Sequence, residues 1–210
     1  MSSESPLLAF LETDKKLMFL FICVSTLLLL FVKKSFIENE TAAFEFLANT
    51  PEGSMLAIRS TLQYVSIPLI YLWKFLVIAF VVWVGCFMFG FRVTYEQCWR
   101  VVMAAELVFY LAEVMKIVWF MAIETDPNFY RIQAFYPLSL MNFFDYESVS
   151  ARYHYPLKSI SLFEVAYLAA LMFGVWHFSR RPFRNAFIIV MTTYLPIFIL
   201  WLIFYMVVYN

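Results

Sequence analysis

Five stretches of this sequence are apolar enough, for long enough, that water cannot be their surroundings: residues 17–32, 67–91, 100–123, 160–176 and 185–209. Inside a bilayer there is no water to pair with backbone N–H and C=O groups. The spanning structure must then satisfy them itself, which leaves α-helices and closed barrels. A helix crosses the hydrocarbon in about 20 residues, a barrel strand in about 9–11. The runs fit helices. The expected fold is an all-α membrane protein, a bundle of five transmembrane helices with short interfacial helices between them. Composition agrees: 64% of the 210 residues are hydrophobic and 14% are charged, against about 45–50% and about 25% in soluble domains.

The first run is preceded by Lys15 and Lys16 and followed by Lys33 and Lys34. A cleaved signal peptide would need small residues at its end. Phe31 to Phe36 offers no small-x-small pair, so the run reads as a retained span, with residues 1–16 a cytoplasmic N-terminal segment and 17–210 the membrane domain. Thr41–Ala48 has the apolar spacing of a short interfacial helix. Thr50, Pro51 and Glu52 form a helix start, with a hydroxyl cap, a proline in the first turn and an acid beside it. Pro68 should kink the helix that follows, and Pro196 interrupts the last span. Residues 124–158 make an external segment rich in Tyr and Phe, suited to the headgroup level.

Short basic loops mark the cytoplasmic side. The link carrying Arg180, Arg181 and Arg184 has no acid. Five spans then place the N-terminus inside and the C-terminus outside.

Within the apolar runs stand Lys74, Glu106, Glu113, Lys116 and Glu164. At about 100° per residue, Glu106, Glu113 and Lys116 fall within roughly 80° of one another on one helix face. That face must look into protein or water. Counting about 1.5 Å per residue from the middle of each run puts Glu113 near the centre. Lys74, Lys116 and Glu164 then lie roughly 7 Å outward, and Glu106 is alone in the inner half. The expectation is a neutral cluster of Lys74, Glu113, Lys116 and Glu164, with Glu106 a lone acid. Three roles are open: glue between spans, a proton or ion path, and a charged face that docks another membrane subunit.

No chemical constellation accompanies these charges. Phosphate loops, nucleophile elbows and metal-binding histidine pairs are missing from the sequence. His154 and His177 stand far apart, and Cys23, Cys86 and Cys98 form no Cys-x-x-Cys pair. Lys plus Arg equals Asp plus Glu at 15 each, so nothing favours nucleic acid as a partner. No enzymatic activity, cofactor or metal is expected.

Two stretches resemble the Yip family, the Ypt/Rab-interacting integral membrane proteins and their bacterial relatives. In residues 89–111, Gly90, Thr94, Tyr95 and Arg100 stand where the family has a glycine closing its second span, a hydroxyl-aromatic pair and a base opening the third. In residues 159–205, Leu162, Phe163, Gly174 and the Arg180–Arg181 pair match its fourth span and the basic link after it. The eukaryotic members' Asp-Leu-Tyr-Gly-Pro stretch is absent, so the resemblance points to the bacterial relatives. It implies five helices, an inner-membrane location with the N-terminus inside, and no catalytic residues. The bilayer and other integral membrane subunits are the expected partners. The function expected is that of an accessory or scaffold subunit of a larger membrane complex, in protein transport or envelope biogenesis; the alternative is a small transporter or channel subunit using its intramembrane glutamates.

Overall fold

The computed structural model describes residues 13–35, 51–124 and 129–209. The helices are α1 (Lys15–Lys33), α2 (Pro51–Met88), α3 (Tyr95–Ala122), α4 (Phe129–Ala134), α5 (Ala151–Ser159), α6 (Leu162–Ser179) and α7 (Phe183–Val208), with a 3₁₀ turn at Leu140–Phe143. Beyond helices, the described residues hold one isolated bridge, between Ser139 and Ser161. It fastens the external segment to the start of α6.

Four helices are long and apolar enough to cross a membrane: α1, the Thr61–Met88 part of α2, α6 and α7. The sequence pattern expects five. At 28 residues α3 has the length, but Glu106, Glu113 and Lys116 crowd its centre, and on composition it does not join the set. It nonetheless packs against three of the other long helices, α1, α2 and α6, while α7 covers α2 and α6. The charges that disqualify α3 by composition are the reason it sits inside.

Helix ends differ from the sequence pattern by a few residues, except in α2. It begins at Pro51, sixteen residues before the run at 67–91. The helix runs on through Pro68, and α7 runs on through Pro196. The interfacial helix expected at 41–48, the cap expected at Thr50 and residues 1–12 lie outside the described residues.

The core follows helical spacing. Phe75, Ala79, Val82 and Cys86 form one fully buried stripe on α2, and Tyr167, Leu171 and Val175 form another on α6. The outward faces are equally apolar: Trp73, Phe87, Phe173 and Val207 are exposed, while Glu106, Lys116 and Glu164 are buried. In water that distribution would be unfavourable on both sides, at about 25 cal/mol per Å² of exposed apolar surface plus the desolvation of the charges. In lipid it is the expected one.

The α2–α3 turn is closed at both ends. Gly90 takes a left-handed φ of 73° and lets Phe91 N–H reach back to the Cys86 carbonyl at 2.8 Å. Thr94 and Gln97 then form a capping box, the Thr94 N–H donating to Gln97 Oε1 at 2.9 Å and the Gln97 N–H to Thr94 Oγ1 at 3.3 Å. This turn brings the fully buried side chains of Cys86 and Cys98 together, although they are distant in sequence.

Two glycines set helix spacing. A Cβ built on Gly85 would lie 2.5 Å from Thr193 Cγ2, and one on Gly174 would overlap the Val101 side chain. Small residues at such crossings let backbones approach. We predict that Gly174→Ala lowers thermal stability in detergent by about 1–3 kcal/mol, the usual cost of overpacking. Adding Val101→Ala should recover part of the loss. Melting of the two variants decides it, and a double variant no better than the single one would mean that α3 and α6 are not held by this crossing.

Candidate functional site

Lys74 on α2 reaches across to α3 and places Nζ 2.7 Å from Glu106 Oε1. Glu106 is 3% exposed and the Lys74 side chain 33%. The ammonium also lies 4.8 Å from the centre of the Phe109 ring and 5.9 Å from that of Tyr167, within cation–π range. Glu106 is therefore not alone, and Lys74 is paired with it and not with Glu113. The reason is the turn that the two helices share. Lys74 stands 14 residues before the end of α2 and Glu106 11 residues after the start of α3, so at about 1.5 Å per residue both lie roughly 17–21 Å from that turn. Counting from the middle of each apolar run separates them.

Glu164 follows the cap of α6, where its own N–H donates to Ser161 Oγ at 3.3 Å. Its carboxylate accepts from the Tyr194 hydroxyl of α7 at 2.8 Å. Tyr167 stacks on Phe109 at 5.0 Å and lies 5.5 Å from Tyr194. It is fully buried, and its hydroxyl has no hydrogen-bond partner among the described residues; neither has Glu106 Oε2.

A second set of hydroxyls joins α1 to this core. Thr26 Oγ1 lies 3.2 Å from the Tyr71 hydroxyl and 3.0 Å from that of Tyr110. Both Thr26 and Tyr110 donate to the Ile22 carbonyl, at 2.9 and 2.7 Å.

Lys116 leaves the expected cluster altogether. Its ammonium donates to the carbonyls of Ile132 and Phe135, each at 2.7 Å, inside a separate apolar cluster with Ile117, Phe120 and Phe135. These carbonyls close the end of α4, where a helix lacks internal donors and favours a cation. Glu113 is half-buried, and it accepts no hydrogen bond and forms no ion pair among the described residues. Tyr71 and Tyr136 are the groups it acts on electrostatically. The four-membered cluster thus divides: Lys74 and Glu164 stay together around Glu106, Lys116 holds the external segment, and Glu113 stands apart.

The tyrosines were missed from sequence. A signal existed, because tyrosine favours membrane interfaces while Tyr194 is central in α7 and Tyr167 lies one turn into α6. Arg180, Arg181 and Arg184 are all exposed at the α6–α7 link, where Arg180 adopts a left-handed φ of 50°. Among the described residues no group of three or more His, Cys, Asp or Glu could hold a metal ion. His154 lies against the carbonyls of Tyr146 and Val149 at 3.1 and 2.8 Å, a local brace of the external segment. The chain matches no protein-family model, no curated protein and no solved structure.

The buried pair predicts an asymmetry. Lys74→Met should lower thermal stability in detergent, by as much as the roughly 3–5 kcal/mol seen when one member of a buried pair is lost. Lys74→Met with Glu106→Gln should be more stable than Lys74→Met alone, since no unpaired charge remains. Equal melting of the two would show that the pair is not the tie between α2 and α3.

Proposed function

We propose that this chain is a non-enzymatic accessory or scaffold subunit of a larger membrane complex, spanning the bilayer five times with α1, α2, α3, α6 and α7. The observation that carries the reading is Glu113. The other intramembrane charges are consumed within the chain: Lys74 by Glu106, Lys116 by backbone carbonyls, Glu164 by Tyr194. Glu113 alone is left half-buried on α3 without such a partner among the described residues. A carboxylate in that position is stable when a basic or hydroxyl-bearing helix of another subunit covers it. The apolar outward faces of α2 and α7 leave room for such a neighbour.

The α3 span belongs to this reading, because its charges are shielded by α1, α2 and α6 and its flanks are apolar. The exposed Arg180, Arg181 and Arg184 support a cytoplasmic α6–α7 link, and five spans then give an N-terminus inside and a C-terminus outside. The resemblance to the bacterial Yip-like proteins adds the inner membrane as location, and protein transport or envelope biogenesis as the process.

Two experiments test the proposal. A reporter active only in the cytoplasm should work when fused after Ser179 and fail at the C-terminus; the reverse at both sites would overturn the orientation and the span count. Purification in gentle detergent should bring down a stoichiometric integral membrane partner, and Glu113→Gln should reduce its recovery at least tenfold while the chain itself still melts cooperatively. The second reading, a transporter or channel subunit, is favoured by the polar chain from Thr26 through Tyr110 and by the unsatisfied atoms beside Lys74. Proteoliposome flux abolished by Glu113→Gln, with no partner recovered, would replace the first reading with that one.

A further inference from the structure

We propose that the chamber between α2, α3, α6 and α7 is a binding site for one proton, held by Glu164. The inference is independent of the partner that Glu113 would meet.

Charge counting is the first support. Glu106 and Glu164 are 3% and 8% exposed, and one base, Lys74, serves both. Two carboxylates against one ammonium leave one negative charge in a space walled by Phe109, Tyr167 and Tyr194. An uncompensated charge enclosed by aromatic side chains is unfavourable. A group so placed takes a proton in preference.

Geometry then chooses which acid carries it. Glu106 receives the ammonium directly at 2.7 Å, the contact that most favours an ionised carboxylate. Glu164 receives only a neutral hydroxyl, from Tyr194 at 2.8 Å. The groups facing Glu164 are few: Lys74 from α2, Glu106 from α3, Tyr194 from α7, Tyr167 from its own helix and Tyr136 from the external segment. None supplies a second cation.

The buried atoms without partners are the second, independent support. Tyr167 is fully buried with its hydroxyl unpartnered, and it lies within electrostatic reach of both Glu106 and Glu164. Glu106 Oε2 is likewise unpartnered. A neutral, protonated Glu164 is a donor that an ionised one is not. It adds a donor to an interior that holds these two unpartnered oxygens. A metal cation is the poorer occupant, since three converging His, Cys, Asp or Glu ligands are not found among the described residues.

The test is infrared spectroscopy of the full chain in lipid nanodiscs at neutral pH. The carbonyl stretch of a protonated carboxylic acid should be present, should shift in deuterated water, and should be lost in Glu164→Gln. Three further variants distinguish this assignment from any other acid. Glu106→Gln should also lose the band, because Lys74 is then free to hold Glu164 ionised. Lys74→Met should roughly double it, because both acids must then be neutral. Glu113→Gln should leave the Glu164-dependent band in place. Wild-type protein whose spectrum matches that of Glu164→Gln in this region would overturn the proposal whatever the stability of the other variants. So would a Glu164-dependent band that survives Glu106→Gln unchanged.

Discussion

An ammonium and a carboxylate 2.7 Å apart, deep in a bundle whose outside is hydrocarbon-like, determine most of what this chain can be. Neither Lys74 nor Glu106 is tolerable alone at that depth. Their contact fixes α2 against α3 in rotation and height at once, because side chains of fixed length must meet end to end. The Gly90 turn and the Thr94 capping box fix the same two helices at their joined ends. With α2 and α3 locked, α6 can approach closely at Gly174, α7 can approach at Gly85, and α1 can reach in with Thr26.

The polar groups are arranged by role. Lys74, Glu106, Glu164 and three tyrosines tie four helices together. Lys116 ties α3 to the segment that follows it instead. A lysine can do this because its ammonium offers three donors to backbone carbonyls, which a carboxylate on the same helix cannot. Glu113, one turn away on α3, finds no such partner, and the contrast between neighbouring residues separates internal glue from a surface that looks outward.

The membrane-helix character of α1, α2, α6 and α7 was legible in the sequence because hydropathy sums over some twenty residues and tolerates local error. The identities of the buried charges were legible too, since an ionisable residue in such a run is rare. Their pairing was not. Depth counted from the middle of each apolar run ignores the short turn that α2 and α3 share, and that count moved Lys74 away from Glu106. The tyrosines were silent for another reason. Tyr71 and Tyr194 are neutral and aromatic, so nothing in their runs marks them out, and only the meeting of distant helices turns their hydroxyls into partners for Thr26 and Glu164.

The closed turn between Cys86 and Thr94 also has a consequence in time. Synthesis delivers α2 first, with Lys74 exposed to a bilayer that offers it nothing. The next long segment to emerge is α3, tethered by six residues and carrying the matching acid. Residues 51 to 122 are thus suited to enter the membrane together as a preassembled hairpin, with the charge of each helix escorted by the other. Glu164 arrives a full external segment later, when Lys74 is already engaged, and Tyr194 later still. Chain order alone makes Glu106 the first claimant to the ammonium and leaves the later acid to find a neutral partner.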